Sequence, residues 1–349
     1  MKQILQDLSL AEIQSLVSEL GEQKFRAAQI YRGVMLGKRI SDMSDLSKPL
    51  RAKLLERFED EPVKVREVFT SSDGTEKYLF ELADGNIIEG VLMSYKYGNT
   101  QCVSTQVGCR MNCAFCASGL NGLIRHLTAG EILAQILVIN ARHGGTPEKR
   151  AVTNVVLMGS GEPLDNYENT VRFLKNVTAE GGICISGRNI SLSTCGLVPK
   201  MYELAEEGIP VNLTVSLHSP DDAERERIMP VAKAYKISEI LQACDYYFEK
   251  TGRRYIFEYS LIAGENAGRE HAEKLIALLK GRPCHVNLIR LNEVKEKHLA
   301  GISEKEAYRF LGLLERGGLS ATLRRQIGAD IGGACGQLRA SRLKEKSGE

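Results

Sequence analysis

Three of the nine cysteines stand close together, in the run Gly108-Cys109-Arg110-Met111-Asn112-Cys113-Ala114-Phe115-Cys116. Three thiolates on one short loop can each bind one iron of a four-iron cubane, which leaves the fourth iron without a protein ligand. An open position of that kind is where a catalytic metal takes a small molecule. The spacing alone also permits a zinc site closed by a fourth ligand such as His126, or an electron-transfer cluster completed by a distant cysteine.

The segment Met158-Gly159-Ser160-Gly161-Glu162-Pro163-Leu164 follows an apolar run. Its glycines allow close backbone approach, and Glu162 can accept an ammonium group. Together with the triplet, and with Phe115 before its last cysteine, the segment resembles the radical S-adenosylmethionine superfamily. The resemblance implies one [4Fe-4S] cluster per chain, held by Cys109, Cys113 and Cys116. It also implies S-adenosylmethionine on the open iron, with Gly161 and Glu162 beside its methionine part.

Positioning these residues requires a repeating frame. After Gly98, short apolar runs alternate with longer helical segments, at Gln101–Val107, Thr153–Met158, Asn189–Thr194, Val211–Leu217, Tyr255–Leu261, His285–Leu291 and Ser320–Arg324. Such alternation predicts an α/β fold, a parallel sheet covered by helices. The polar residues ending those runs (Glu162, Ser193, Ser216, His218 and Asn292) then gather at the C-terminal edge, where α/β barrels carry their chemistry. A closed eight-stranded barrel and a partial one give the same pattern. Upstream, Leu10–Leu20, Lys24–Leu36 and Leu46–Phe58 have helical periodicity. Val65–Phe69, Lys77–Leu82 and Asn86–Met93 alternate as antiparallel strands do between Gly-containing turns. The predicted organisation is a helical module over 1–62, an antiparallel β-region over 63–98 and the barrel over 99–345.

At 43% hydrophobic and 26% charged the composition is that of a globular chain, with no apolar run long enough to span a bilayer and no apolar leader in Met1–Leu10. An odd count of nine cysteines argues against a secreted disulfide framework and for metal or redox chemistry. Both features predict a cytoplasmic protein with no membrane partner. The net charge of +2 hides an uneven distribution: nine Lys/Arg against three Asp/Glu from Lys24 to Arg57, and five against one from Thr322 to Lys344. Clustered cations bind polyanions, although a solvated charged face has the same composition.

Three further segments narrow the resemblance: Gly328-Ala329-Asp330-Ile331-Gly332-Gly333-Ala334-Cys335-Gly336-Gln337-Leu338, Thr100–Cys109 and Gly119–Glu131. With Phe25–Tyr31 and Asp45–Lys48 they resemble the RlmN/Cfr family of radical adenosine methyltransferases, which modify ribosomal and transfer RNA, over nearly the whole chain. The family implies a partial (β/α) barrel, 23S rRNA and tRNA as partners, the helical module as an RNA-binding accessory, a flavodoxin- or ferredoxin-type electron donor, and a monomer. Carbon 2 of adenine is electron-poor and offers no nucleophile to a sulfonium methyl, so a radical route is needed. By the family mechanism Cys335 takes a methyl from one S-adenosylmethionine, a thiolate being a competent nucleophile. A second molecule, making two per turnover, yields the 5′-deoxyadenosyl radical that removes hydrogen from that methyl. The methylene radical adds to an adenine of the peptidyl transferase centre in 23S rRNA, or to the adenine 3′ of the tRNA anticodon. Glu89 then accepts the ring proton, and Cys102 frees the product through a transient disulfide with Cys335.

By the same resemblance, Ser193, Ser216, Leu217, His218 and Asn292 hold S-adenosylmethionine. Without it, Glu89 reads as an exposed strand carboxylate and Cys102 as a core thiol. Cys184, Cys195, Cys244 and Cys284 fit no motif and read as structural. Three positions depart from the commonest family pattern: Ser160 where Met is frequent, Gly332-Gly333 where Asp-Ala is usual, and Arg290 where the carbon-2 enzymes generally have Pro. Arg290 is shared with the Cfr-type carbon-8 resistance methyltransferases, so methylation at carbon 8 is an alternative. An RNA-binding protein with a structural metal site is a second. Glu162-Pro163, Thr128–Glu131 and the N-terminal module favour the carbon-2 branch.

Overall fold

A computed structural model describes residues 2–294, 296–338 and 341–342. Three helices open the chain, α1 Leu10–Glu19, α2 Arg26–Met35 and α3 Lys48–Arg57. Ser9 and Glu12 cap α1 reciprocally: Glu12 N–H donates to Ser9 Oγ (3.3 Å) and Ser9 N–H to Glu12 Oε2 (2.7 Å), satisfying donors the first turn leaves unpaired. The helices bury Ile13, Ile30, Val34 and Leu50 in the same hydrophobic cluster as the barrel, so the module has no core of its own.

Next come β1 Val63–Thr70, β2 Glu76–Leu82 and β3 Asn86–Tyr95, an antiparallel meander, then β4 Gly98–Cys102. A hairpin of β5 Gln106–Gly108 and β6 Leu123–His126 stands apart from the main sheet. β4 pairs antiparallel with β3 and parallel with β7 Val152–Leu157, after which β8 Ile190–Thr194, β9 Asn212–Ser216, β10 Tyr255–Leu261, β11 Cys284–Arg290 and β12 Ala321–Leu323 add in order, all parallel. A short β13, Ser341–Arg342, returns to pair with β3. Among the described residues β12 pairs only with β11, so the barrel is partial. The β-region is therefore a continuation of the barrel sheet and not a separate layer.

Helices α4 Ala129–Arg142, α5 Tyr167–Thr178, α6 Val198–Glu206, α7 Asp222–Ile228, α8 Ile237–Thr251, α9 Arg269–Leu279 and α10 Glu304–Arg316 make the crossovers. The Thr128–Glu131 segment explains itself here as a capping box on α4 (Glu131 N–H to Thr128 Oγ1 3.1 Å, Thr128 N–H to Glu131 Oε2 3.0 Å). That helix buries Ile132, Leu133, Ile136, Leu137 and Ile139, each contributing roughly 2 kcal/mol of burial free energy. Its N-terminus also anchors the helical module, since Gly130 N–H donates to Asp7 Oδ1 at 2.6 Å.

One expected strand is corrected. Gln101–Val107 is two strands, because Ser104 N–H donates to Gln135 Oε1 of α4 (3.0 Å) and Thr105 N–H to Ser160 O (2.9 Å) instead of continuing a ladder. The triplet thus follows β5 of the separate hairpin, not a barrel strand. Residues 343–345 of the expected barrel span, and Arg339 and Lys344 of the second basic stretch, lie outside the described residues. Among the described residues no helix is long and apolar enough to cross a membrane.

Candidate active site

The cysteine loop connects β5 to β6 and begins at a position only glycine fits. Gly108 has φ +78°, and a Cβ there would lie 2.0 Å from Gly122 O. Beyond it Cys109 N–H donates to Gly122 O (3.0 Å), Ala114 N–H to Ile228 O at the end of α7 (2.8 Å), and Ala117 N–H to Gly336 O (2.8 Å). The loop is thereby fixed to its own hairpin, to the barrel and to the segment carrying Cys335.

Cys109, Cys113 and Cys116 line an open cleft together with Gly161, Glu162, Ser193, Ser216, His218 and Asn292. The strand-end residues expected to gather do so. Leu217, which only the resemblance assigned to S-adenosylmethionine, does not line the cleft: it is wholly buried, its N–H donates to Glu258 O (3.1 Å) and its carbonyl accepts from Arg225 Nε (3.1 Å). Burial, and then the Glu162 carboxylate and the Cys116 thiol, push Cys109 up to about 12, while burial and the two other thiols push Cys113 upward. Thiols kept protonated in this way become ligands when a metal supplies the missing positive charge. Among the described residues no three His, Cys, Asp or Glu side chains converge as ligands of a single ion would. His126, the fourth zinc ligand that the spacing allowed, bonds Gln106 through Nδ1 (3.0 Å). Three thiols along one wall, each able to bind its own iron, suit a [4Fe-4S] cluster.

Opposite them Glu162 is 4% exposed. Its Oε2 accepts from Cys195 N–H (2.7 Å) and its Oε1 from Leu164 N–H (3.0 Å), so burial raises its pKa while these donors oppose the rise. The Thr194 and Cys195 side chains also bond this carboxylate, which lines the cleft and can receive an ammonium group there. Gly161, at φ +110°, brings the main chain within a Cβ's contact of Gln106. His218 Nδ1 accepts from Ser260 N–H (2.9 Å), which leaves the ring hydrogen on Nε2. Burial lowers its pKa to about 3, so it is a neutral donor, with Phe115 edge-on at 4.7 Å.

Cys335 lines this cleft and also a second cavity of about 580 Å³, which it shares with Cys102, Met158, Asn292 and Arg324. The residue is exposed, yet burial of its thiol raises the pKa while Arg324 pulls it down. Cys102 is buried and pushed up to about 12, first by burial and next by Cys335 itself. The loop carrying Cys335 is clasped by the β1–β2 turn: Asp330 accepts from Ser71 Oγ (2.6 Å) and Ser72 N–H (3.2 Å), and Asp73 accepts from Gly328 N–H (3.0 Å). Glu89 does not line either cavity. It lies on the β3 face that also carries Val91 and Met93 of the Cys102/Cys335 cavity, its side chain 12% exposed and 3.5 Å from Lys77 Nζ. The reading of Glu89 as an exposed carboxylate is corrected.

Two groups escaped the sequence. Arg324, assigned there to a basic stretch, pairs with Glu258 inside the barrel (3.4 Å) and stands beside Cys335. Cys195, read as structural, lines the cleft and packs in a cluster with Met229 and Ile262 against Cys113 and Phe115.

A radical SAM superfamily model matches residues 103–279, and a model of the ribosomal RNA large subunit methyltransferase N-terminal domain matches residues 4–59. The chain is 50% identical over 349 residues, 99% of each chain, to a protein from Clostridium perfringens named probable dual-specificity RNA methyltransferase RlmN. A Thermoanaerobacter protein of the same name is 47% identical over 346 residues, 98% of this chain and 99% of that one. The crystal structure of a radical SAM methyltransferase from Sphaerobacter thermophilus matches with a TM-score of 0.92 and 42% identity, over 97% of this chain and 99% of that one. Sequence, fold and cleft agree: the chain belongs to the radical SAM superfamily and, within it, to the RlmN family of radical SAM RNA methyltransferases.

Proposed function

We propose that the chain methylates carbon 2 of an adenine in 23S rRNA and of the adenine 3′ of the tRNA anticodon, with Cys335 as methyl carrier. The observation that carries this reading is that Cys335 lies on the wall common to two cavities, one bearing the cysteine triplet and one bearing Cys102. A [4Fe-4S] cluster held by Cys109, Cys113 and Cys116 would supply the electron for reductive cleavage of S-adenosylmethionine. Glu162 receives the ammonium of that molecule, and Ser193, Ser216, His218 Nε2 and Asn292 offer hydrogen bonds to the rest of it.

The Cys335 thiolate displaces a methyl from the sulfonium, and Arg324 favours the thiolate for that step. Once the carrier carbon is joined to adenine, Glu89 takes the ring proton, and Lys77 holds its carboxylate. Cys102 then attacks the Cys335 sulfur and forms a disulfide as the carbon–sulfur bond breaks; the freed carbon takes up a proton to complete the methyl group, the one surplus electron of the adduct would pass back to the cluster, and an external reductant restores both thiols. A second reading, methylation at carbon 8, rests on Arg290, which lines the Cys102/Cys335 cavity and bonds Gln326. Mass spectrometry of RNA after anaerobic reaction separates the readings. Carbon-2 methyladenine supports the first and carbon-8 methyladenine the second. Unmodified RNA without 5′-deoxyadenosine contradicts both.

A further inference from the structure

The partial barrel contains a third cavity that no step above uses. It has a volume of about 990 Å³ and lies between the β3–β4 turn and the residues after β12. Asn154 in β7, Ser191 in β8, Thr214 in β9 and Asn287 in β11 line it, all earlier in their strands than the residues of the cluster cleft. Amides and hydroxyls thus make up much of the wall, beside apolar Val155, Val156 and Ile256 and the Glu258 carboxylate, whose charge Arg324 pairs. Thr214 is fully buried and its Oγ1 has no hydrogen-bond partner among the described residues, an unfavourable arrangement unless something entering the cavity supplies one. At the mouth the Tyr95 and Tyr97 rings stack at 4.9 Å and 7°, and Tyr97, 73% exposed, keeps its outer face open. Exposed Arg188 and Arg325 border the same space, with no ion-pair partner for either among the described residues. The cavity shares Met93, Val156, Met158 and Arg324 with the one holding Cys102 and Cys335, so the two are immediate neighbours.

An open aromatic face, unpaired guanidiniums and a wall of amides are the groups that bind a base, a phosphate and a base edge respectively. We infer that this chamber takes the RNA nucleotide adjacent to the target adenine, its base stacked on Tyr97 and its phosphate against Arg188 and Arg325. The inference rests on the RNA reading above, with the target base in the Cys102/Cys335 cavity. Single-stranded loops suit this arrangement, because their bases can splay out one by one.

The test uses the full chain and an RNA stem-loop carrying the target adenine, with abasic versions at each neighbouring position. Tyr97→Ala should weaken binding of intact RNA about tenfold, while Tyr97→Phe, which keeps the ring, should not. One of the two abasic RNAs should bind the unaltered protein correspondingly less well and show no further loss with Tyr97→Ala. Arg325→Gln should reduce the slope of log Kd against log salt by about one. Equal affinity of Tyr97→Ala for intact RNA, or the same loss for intact and abasic RNA, overturns the assignment. So does competition by free adenosine monophosphate as strong as that of the stem-loop, which would make the chamber a small-nucleotide site. Failure of the unaltered protein to methylate any RNA contradicts instead the function on which the inference rests, and Cys335 methylation measured without RNA identifies that case.

Discussion

The Asn292 side-chain amide donates to the main-chain carbonyl of Cys335 at 3.1 Å, while its own carbonyl oxygen accepts from Gln326 at 3.1 Å. Asn292 follows β11 by two residues, so a barrel strand and not the C-terminal loop alone sets where the Cys335 sulfur stands. The clasp from Ser71, Ser72 and Asp73 acts on the same loop from the other side. Together they hold Cys335 between its two cavities.

Replacing Cys102 by Ala removes the only other thiol that, among the described residues, lines the Cys102/Cys335 cavity. The RNA adduct should then persist on Cys335, seen as a covalent protein–RNA species on a denaturing gel and in the mass of the Cys335 peptide. Normal release of methylated RNA would remove the resolving role.

Gly108→Ala places a Cβ 2.0 Å from Gly122 O at φ +78°, so the hairpin start must move. The left-handed backbone alone costs about 1–2 kcal/mol for a residue with a side chain, and the clash adds to it. We expect a lower melting temperature and little iron after anaerobic reconstitution. Full iron content at unchanged stability would contradict the account of the loop.

Arg324→Met leaves the Glu258 carboxylate, only 4% exposed, without its cation. The loss should be roughly 2–3 kcal/mol, below that of a fully enclosed pair because the Arg324 side chain keeps 29% of its exposure. Adding Glu258→Leu should recover most of the stability but not the rate of Cys335 methylation. Recovery of both would make the pair purely structural.

His218 gives stability a pH dependence. Its pKa in the folded protein is lowered to about 3 by burial, against the ordinary value of 6.5, so the unfolded chain takes up the proton first as pH falls. Its contribution is complete above pH 6.5 and is lost between 6.5 and 3, at about 1.4 kcal/mol per pH unit. His218→Asn keeps an acceptor for Ser260 N–H and suits φ +57°, yet does not titrate. Denaturation midpoints at pH 7 and pH 5 should therefore fall less in the variant. Equal falls would refute the neutral, buried state of the ring.

The strand ends were legible because each apolar run stops at a polar residue, and Ser193, Ser216, His218 and Asn292 do meet in one cleft. The break between β4 and β5 was not legible. Val103-Ser104-Thr105 suits a strand locally, and what ends it is a bond to Gln135 from a helix 31 residues on. Arg324 was misread for a similar reason: its partner Glu258 lies 66 residues away, and nothing local separates a buried ion pair from a phosphate-binding cation. Cys195 carried no signal either, since its neighbours Cys113 and Phe115 reach it only through the fold.

The central claim, that the transferred carbon travels on Cys335, is tested most directly by isotope labelling. Protein whose Cys335 carries a deuterated methyl is mixed anaerobically with unlabelled S-adenosylmethionine, a reductant and RNA, and the product of the first turnover is weighed. The expected product is methyladenine carrying deuterium from Cys335, with the unlabelled methyl appearing only in later turnovers. A first product carrying only the unlabelled methyl would contradict it.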